Sequence, residues 1–336
     1  MKAYELHPGE GFAGLRLADR PGPSALGAHD VRVRVRAVSL NFRDLAIARA
    51  TRKRPIAVVP TSDGAGEVMA IGADVTRLAV GDRVAAAFFP NWLDGGLRPE
   101  HHGQALGGSV DGMLAEEVVL PDTAWVRVPA RWTFDQAATL PCAGVTAWNA
   151  LFEAAALKIG QRLLVQGTGG VSIFALQLAR ACGATVIATS SSALKRERLE
   201  TMGAVATIDY REVVAWGDAV RDATGGAGVD LAVEVGGAGT FDQTVKALAY
   251  GGTMSLIGVL AGMQGPVNTY AVLQKGIRVH GVYVGSVAMF EALVRALDAS
   301  TIEPVVDRVF PFGEARAAYE YLASGAHVGK VVIRVD

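Results

Sequence analysis

The chain has few cysteines, no excess of either charge and no long apolar run. Its only cysteines are Cys142 and Cys182, so we expect no disulfide framework and a reducing compartment. The 32 basic and 33 acidic side chains nearly cancel, which leaves no field to attract nucleic acid or anionic lipid. The sequence contains no run of about 18 apolar residues, the length needed to cross a membrane. The first residues also lack the charged-then-apolar order of a signal peptide. We therefore expect a cytoplasmic protein with neither nucleic acid nor membrane as a partner.

Apolar residues are abundant enough for more than one hydrophobic core. They make up 51% of the 336 residues, against 19% charged residues, and this composition excludes a disordered polymer. A single core usually stops growing at about 250 to 300 residues. The length therefore predicts two domains.

The first third of the chain has a β pattern. Residues 31–36 alternate Val and Arg, which places three valines on one face of a strand and three arginines on the other. A nucleic-acid-binding stripe is the alternative, but an alternating charged face is usually only solvated. Short apolar runs broken by Gly, Pro and Asp continue to about residue 125. This pattern predicts a mostly β domain.

The pattern changes near residue 135, where an alanine-rich helical stretch, 134–157, precedes alternating strands and helices. Strands are predicted at 163–166, 185–188, 205–208, 231–233, 253–257 and 277–284. Such alternation is typical of right-handed βαβ units and a parallel sheet covered on both faces. Two helices, 287–299 and 313–323, and a last strand, 330–335, are predicted to close the chain.

A glycine turn follows the first of these strands and opens a helix. It reads Gly167-Thr168-Gly169-Gly170-Val171-Ser172, with Ser172 in place of the last glycine of the strict dinucleotide fingerprint. Glycines permit a tight turn and let the backbone approach a pyrophosphate, which then faces the helix N-terminus. The pattern therefore predicts a dinucleotide site. The alternative is an ordinary glycine-rich turn that binds nothing.

The end of the second strand indicates which nicotinamide cofactor is preferred. An enzyme that uses NAD usually presents a carboxylate there to the adenosine ribose. This chain instead has hydroxyls, among them Ser190 and Ser191, followed by Lys195 and Arg196. Hydroxyls and cations suit a 2′-phosphate, so NADPH is the predicted cofactor. Both cations could instead lie on the solvated face of a helix, and for Arg196 we favour that interpretation.

Several linked motifs resemble the medium-chain dehydrogenase/reductase superfamily, in particular its quinone oxidoreductase-like branch. They are Ser39-Leu40-Asn41-Phe42-Arg43-Asp44, the run from Pro60 to Val68, Gly81-Asp82-Arg83-Val84 and the run from Leu140 to Trp148. The resemblance covers essentially the whole chain. It implies an α/β protein with a GroES-like β-barrel catalytic domain, residues 1–125 and 285–336. A Rossmann domain with a doubly wound parallel sheet, residues 126–284, would hold the cofactor.

Zinc-dependent relatives hold their catalytic metal with three side chains. The matching positions here are Asn41, Ser62 and Cys142, of which only the last is a usual zinc donor. The stretch 90–108, which matches the structural zinc lobe of those enzymes, has no cysteine. We therefore expect a metal-free protein, with Cys142 as a small core residue.

The resemblance also assigns further cofactor contacts. Thr146 would lie beside the nicotinamide, Val235 with Gly258, Val259 and Leu260 along the ribose side, and Val282, Tyr283 and Val284 near the carboxamide. Tyr210 would stack beside the adenosine, or would be merely a half-buried aromatic at a strand end. Residues 277–282 resemble the edge strand through which relatives join their sheets, so a homodimer is expected.

The expected absence of zinc limits which hydride acceptors the protein could reduce. Hydride delivery to a ketone makes an alkoxide, whereas a quinone or an α,β-unsaturated carbonyl gives a phenolate-like or enolate oxyanion. With a pKa of roughly 15.7 for water and about 10 for phenol, the difference is roughly 8 kcal/mol of stabilisation. We therefore expect hydride transfer from NADPH to a conjugated acceptor. The alternatives are a zinc-independent ketone or alcohol dehydrogenase and a non-catalytic NADPH-binding protein.

The catalytic candidates are Asn41, Arg43 and Asp44, in the first of the family motifs. Asn41 could donate a hydrogen bond to the developing oxyanion, and Asp44 could orient the loop or the nicotinamide ribose. Alternatively, both could cap the following helix. Arg43 could pair with Asp63 or approach the substrate. No residue is identified as a general acid, so water is the expected proton source.

Overall fold

The chain forms two compact units in a computed structural model that describes residues 1–7, 9–22, 25–50 and 57–335. The first unit comprises Met1–Val145 and Val284–Asp336, and the second comprises Thr146–Tyr283. No helix among the described residues is long and apolar enough to cross a membrane.

The helices and strands are named in chain order. The strands are β1 (Lys2–Leu6), β2 (Leu15–Asp19), β3 (Asp30–Leu40), β4 (Asp63–Ile71), β5 (Arg83–Ala86), β6 (Glu117–Pro121), β7 (Trp125–Arg127), β8 (Arg162–Gln166), β9 (Thr185–Thr189), β10 (Ala206–Ile208), β11 (Val229–Glu234), β12 (Leu248–Leu256), β13 (Arg278–Gly281), β14 (Val306–Pro311) and β15 (Lys330–Arg334). The α-helices are α1 (Phe42–Arg49), α2 (Pro99–His102), α3 (Phe134–Ala137), α4 (Val145–Trp148), α5 (Gly170–Ala181), α6 (Ala193–Thr201), α7 (Trp216–Asp222), α8 (Phe241–Ala247), α9 (Thr269–Lys275), α10 (Val287–Asp298) and α11 (Ala315–Ser324).

The first unit is built around the long strand β3. The strand order is β14-β15-β3-β4-β5-β7, β6 also pairs with β3, and β1 and β2 form a separate pair. Val31, Val33 and Val35 are buried, while the alternating arginines of β3 are exposed or half-buried. The predicted strand, with its valines on one face and its arginines on the other, is therefore confirmed, and it pairs with antiparallel neighbours. The buried valines form part of the core that the sheet shares with α1 and α11.

The second unit is a parallel sheet with the order β10-β9-β8-β11-β12-β13. This is the doubly wound order, in which the order of the parallel strands reverses between β8 and β11. Ligands of such sheets bind beyond the carboxyl ends of the strands at that reversal. The predicted fold class is confirmed.

The domain limits differ from the predicted 125/126 and 284/285. Residues 126–145 lie in the first unit, because β7 pairs with β5 and the Arg83 guanidinium lies 3.8 Å from the centre of the Phe134 ring. Val284 also lies in the first unit rather than the second.

Two predicted elements have different limits. The strand predicted at 277–284 is only β13, because Val284 has φ 58°, a left-handed conformation that an extended strand cannot contain. The helical stretch 134–157 consists of α3, α4 and two π-helical turns, Leu140–Gly144 and Asn149–Glu153.

Candidate active site

The glycine turn of the second unit leaves open space in front of the first helix turn. Gly167 has φ 70°, a left-handed conformation that favours glycine, and Gly169 is the N-cap of α5. A Cβ added to either glycine would meet no atom within 4 Å. The amides that open a helix have no partner within it. The turn therefore presents backbone donors to a space that an anionic group could occupy.

Ser172 fastens this turn to the strand before it. Its side chain is buried, and its Oγ donates a hydrogen bond of 2.6 Å to the carbonyl of Gln166. The residue that departs from the glycine fingerprint therefore ties the start of α5 to the end of β8.

Glu234, at the end of β11, joins two turns at the same edge of the sheet. Its side chain is fully buried and accepts hydrogen bonds from five donors. They are Gln166 Nε2 at 2.6 Å, the amides of Gly236 and Gly237 at 2.7 and 2.9 Å, Thr240 Oγ1 at 2.6 Å, and Thr244 Oγ1. Glu234 was not among the predicted site residues, although a carboxylate that ends an apolar strand is a usable signal.

The residues predicted along the ribose side lie next to these turns. The Leu260 amide donates to the carbonyl of Val235 at 3.2 Å, and the Val235 amide donates to Gln166 Oε1 at 3.3 Å. A Cβ on Gly258 would lie 2.2 Å from the Val235 oxygen, so only glycine allows this approach. Val259 and Leu260 are exposed. The structure therefore brings Val235 and residues 258–260 to the edge that carries the glycine turn.

Behind the predicted 2′-phosphate region lies an ion pair that the sequence did not reveal. Arg196 forms an ion pair with Asp209 and donates to the Ser190 carbonyl at 3.0 Å, so its interpretation as a solvated residue is wrong. Asp209 follows β10, which pairs with β9. The Arg211 amide and the Arg196 guanidinium hold the pKa of Asp209 below its usual value.

Tyr210 and the serines meet in the same region. The Tyr210 hydroxyl lies 3.3 Å from Ser191 Oγ, while Ser190 is buried and Lys195 lies half-buried in the first turn of α6. The hydroxyl-rich loop and Tyr210 are therefore in contact.

The remaining predicted cofactor residues are Thr146 and residues 282–284. Thr146 is buried, Tyr283 is half exposed, and the Val282 amide donates to the Leu256 carbonyl at 2.9 Å. Val284 is a β-branched residue with φ 58°, a conformation that usually persists only where the surroundings enforce it.

A buried polar cluster in the first unit forms where three strands meet. Asn41 follows β3, Asp63 begins β4 and Lys330 begins β15. The register places Leu40 opposite Val331 and Ser39 opposite Asp63, so the topology brings the three side chains together. Asn41, Asp63 and Lys330 are 8%, 0% and 3% exposed.

Lys330 is the cation of this cluster. Its Nζ donates to the Leu40 carbonyl at 2.6 Å and to Asn41 Oδ1, and it lies 3.8 Å from Asp63 Oδ2. Burial raises the pKa of Asp63, while Lys330, and then the Ser62 and Asn41 side chains, lower it. The predicted candidates did not include Lys330.

Asp63 has two further donors and no pairing with Arg43. Ser62 Oγ donates to its Oδ1 at 2.7 Å, and the Cys142 amide donates to its Oδ2 at 3.1 Å. Arg43 donates instead to the Leu106 carbonyl at 2.8 Å and lies 4.5 Å from the centre of the Phe88 ring. The cation beside Asp63 is therefore Lys330, and the alternative pairing of Arg43 with Asp63 is wrong.

Asp44 caps α1, as one of the two interpretations held. Its Oδ2 accepts the Asn41 amide at 2.7 Å, and its side chain is fully buried. Burial raises the pKa of Asp44 to about 6, although the nearby Arg43 guanidinium opposes that shift. Asn41 is the N-cap residue of α1 and forms a capping box with Asp44, and its side-chain oxygen also accepts from Lys330.

The donor set of this cluster differs from that of a zinc site. Within the described ranges, no group of three or more His, Cys, Asp and Glu side chains is arranged to hold a metal ion. Burial raises the pKa of the Cys142 thiol far above its usual value, so this residue stays protonated at neutral pH.

Thr61, beside this cluster, has a constrained backbone. It is fully buried and has φ 66°. A Cβ on Gly107 would lie 2.4 Å from its carbonyl carbon, and one on Gly112 would lie 2.0 Å from its oxygen. The segment 107–112 therefore packs directly on the residue that precedes Ser62.

Comparison with known proteins shows the family. Residues 27–130 match the alcohol dehydrogenase GroES-like domain, and residues 170–299 match the zinc-binding dehydrogenase family. The chain belongs to the medium-chain dehydrogenase/reductase superfamily of oxidoreductases. The predicted resemblance is thus confirmed.

Individual relatives carry several descriptions. A zinc-type alcohol dehydrogenase-like protein of Schizosaccharomyces pombe is 42% identical, with 97% of this chain and 96% of the relative covered. A quinone oxidoreductase-like protein 2 homolog of Nematostella vectensis is 30% identical, with 95% and 85% covered. The crystal structure of an NAD-dependent alcohol dehydrogenase is 32% identical with a TM-score of 0.91, and all of both chains is covered. A mycobacterial protein complexed with NADPH is 28% identical with a TM-score of 0.84, again over all of both chains.

Proposed function

We propose that this protein is an NADPH-dependent oxidoreductase that transfers hydride to a quinone or an α,β-unsaturated carbonyl without zinc. The observation that carries the proposal is the buried cluster at Asn41, where a lysine ammonium already neutralises Asp63. A divalent cation there would face that ammonium and an asparagine oxygen that Lys330 already binds, so the residues do not fit a catalytic zinc. The quinone oxidoreductase-like relative and the NADPH complex agree with this assignment.

The residues of the second unit would bind and orient the cofactor, which supplies the hydride. The open turn from Gly167 to Gly170 would hold the pyrophosphate with its amides and the positive end of α5. Ser190, Ser191 and Lys195 would bind the 2′-phosphate, with Tyr210 beside the adenosine. Val235, residues 258–260, Thr146 and residues 282–284 would line the nicotinamide half through backbone groups.

The first unit would stabilise the charge that develops on the acceptor oxygen. Asn41 Nδ2 is buried, makes no hydrogen bond of normal geometry among the described residues and carries two hydrogens. One hydrogen would therefore remain for the acceptor oxygen while the amide also interacts with Asp63. Asp44 would hold the Asn41 backbone in place. An enolate or phenolate needs less stabilisation than an alkoxide, so a single amide donor comes closer to meeting the need of a conjugated acceptor.

A substrate panel tests this proposal. With NADPH, we expect kcat/KM for a quinone or an enone to exceed that for a plain ketone by at least about 100-fold, because roughly 8 kcal/mol separates the oxyanions. A metal chelator should leave the rates unchanged. Fastest turnover of the plain ketone would identify the rival ketone or alcohol dehydrogenase, and tight NADPH binding without turnover would identify a non-catalytic protein.

Cofactor choice has its own prediction. Lys195→Glu should raise the KM for NADPH by at least about tenfold and leave that for NADH nearly constant, since a carboxylate repels the 2′-phosphate. Lys158→Glu is the matched control. Lys158 is an exposed lysine that precedes β8, and it therefore lies at the amino end of the parallel strands, opposite the proposed cofactor site. Equal effects on both cofactors would place the 2′-phosphate elsewhere.

We further propose that the protein forms a homodimer through β13. This strand is the last in its sheet, all its residues are exposed, and the nearby Tyr270 and Leu273 are 68% and 75% exposed. An exposed edge strand with apolar neighbours is suited to pairing with a copy of itself. Sedimentation at twice the mass of one chain is the expected result.

A further inference from the structure

The amide of Asn41 lies between a cation and an anion, both buried. Lys330 Nζ donates to Asn41 Oδ1, and the same Nζ is 3.8 Å from Asp63 Oδ2. The Asn41 side chain also interacts with the Asp63 carboxylate and lowers its pKa. Lys330 and Asp63 have side-chain exposures of 3% and 0%. Solvent therefore screens both charges only weakly, so both act on the group between them more strongly than surface charges would.

The chemistry of these two neighbours permits only one orientation of the amide. An ammonium has three donors and no acceptor, and a carboxylate has acceptors only. If the Asn41 amide were reversed, its NH₂ would meet the ammonium and its oxygen would meet the carboxylate. Both contacts would then be repulsive. The pair therefore selects the orientation in which Oδ1 faces Lys330.

The orientation of the amide decides whether Asn41 can be a hydrogen-bond donor in the proposed reaction. Nδ2 is enclosed, makes no hydrogen bond of normal geometry among the described residues, and carries two hydrogens. In the reversed orientation, the same position would present an oxygen, which would repel a developing oxyanion. A hydrogen bond from an ammonium to Oδ1 also polarises the amide and makes its N–H a stronger donor.

We propose that Lys330, paired with Asp63, is a positioning residue that fixes the Asn41 amide with Nδ2 as the donor to the substrate oxygen. This inference rests on the proposed function for its kinetic consequence, but the orientation itself is a property of the protein without ligand. Lys330 does not touch the reacting atoms. It acts through Asn41.

An NMR experiment on the ligand-free protein tests the orientation directly. The chain has four asparagines, at positions 41, 91, 149 and 268, so selective ¹⁵N-asparagine labelling gives four side-chain amide signals. Asn41→Ala assigns one of them. In Lys330→Met, we expect that signal to shift and broaden while the other three stay in place. In Lys330→Arg, which keeps a donor-only cation, it should remain sharp. An unmoved Asn41 signal in Lys330→Met would overturn the proposal.

A double-mutant cycle tests the consequence for catalysis. Asn41→Ala and Lys330→Met should each lower kcat for an enone by about 100-fold, with the KM for NADPH unchanged. Because Lys330 acts only through Asn41, the combined variant should be no slower than Asn41→Ala. Lys330→Arg should restore kcat to within about tenfold of the parent. Additive losses in the combined variant would show that Lys330 acts by another route.

Lys330→Met alone leaves Asp63 buried without a counter-charge and could prevent folding. Lys330→Met combined with Asp63→Asn removes both charges together, and the same loss of a fixed Asn41 signal is expected. Because the NMR result needs no substrate, the orientation can be confirmed even where the enone reaction fails. A fixed signal in a protein that reduces no conjugated acceptor would refute the proposed function and leave the orienting pair intact.

Discussion

Gly169→Val is expected to abolish NADPH binding while the protein stays folded. Gly169 has φ −69° and ψ 169°, an extended conformation that valine adopts without strain, and an added Cβ meets nothing within 4 Å. The side chain would occupy the space in which the pyrophosphate is proposed to lie. We expect the dissociation constant to rise by more than about 100-fold, or roughly 2.7 kcal/mol.

The measurement is a fluorescence or calorimetric titration with NADPH, together with thermal unfolding of the ligand-free variants. Gly313→Val is the matched control, because Gly313 also faces open space but lies in the first unit. Both variants should unfold within a few degrees of the parent. Near-parental affinity in Gly169→Val would mean that the cofactor does not approach this turn.

Glu234→Leu is expected to lower the stability of the second unit strongly. Leucine has a similar volume but accepts no hydrogen bond, so the amides of Gly236 and Gly237 would lose their partner. Gln166 Nε2 keeps Thr244 Oγ1 as an acceptor at 2.8 Å. A buried donor without a partner costs about 1 to 3 kcal/mol. The two threonine hydroxyls can turn to the backbone carbonyls of Gly237 and Thr240, and are therefore left out of the sum. With two orphaned amides, we expect the free energy of unfolding to fall by at least about 2 kcal/mol.

Urea unfolding measures this loss. Glu234→Gln, which keeps an acceptor oxygen, should lose about half as much and remain folded. Its NADPH affinity should fall as well, because Glu234 holds the turns on both sides of the strand-order reversal. A parental unfolding midpoint in Glu234→Leu would contradict the structural role assigned to this carboxylate.

Local patterns in the sequence predicted the parts of the fold that depend on neighbouring residues. The run from β8 through Gly167 into α5 shows its strand, turn and helix within 20 residues, and its order was correct. The alternation of Val and Arg in β3 likewise predicted which face is buried. The end of β13 was misplaced because hydrophobicity carries no signal for the left-handed φ of Val284.

Long-range contacts explain what the sequence could not predict in the site. Lys330 lies 289 residues from Asn41 along the chain, and only the pairing of β15 with β3 brings them together. Arg196 has the appearance of a surface residue until β10 places Asp209 beside it. Asn41 and Asp44 were found because the family motif and the helix cap occupy the same six residues. Their partners were not found, because no local pattern identifies them.

The packing of Gly107 and Gly112 on Thr61 limits how this enzyme could be redesigned. A protein engineer who exchanges the segment around residues 107–112 would also move the backbone of Thr61, and with it Ser62 and Asp63. Retaining both glycines is therefore a condition for altering this segment without losing the charge arrangement around Asn41. Libraries that keep these two positions fixed should yield far more active clones than libraries that vary them.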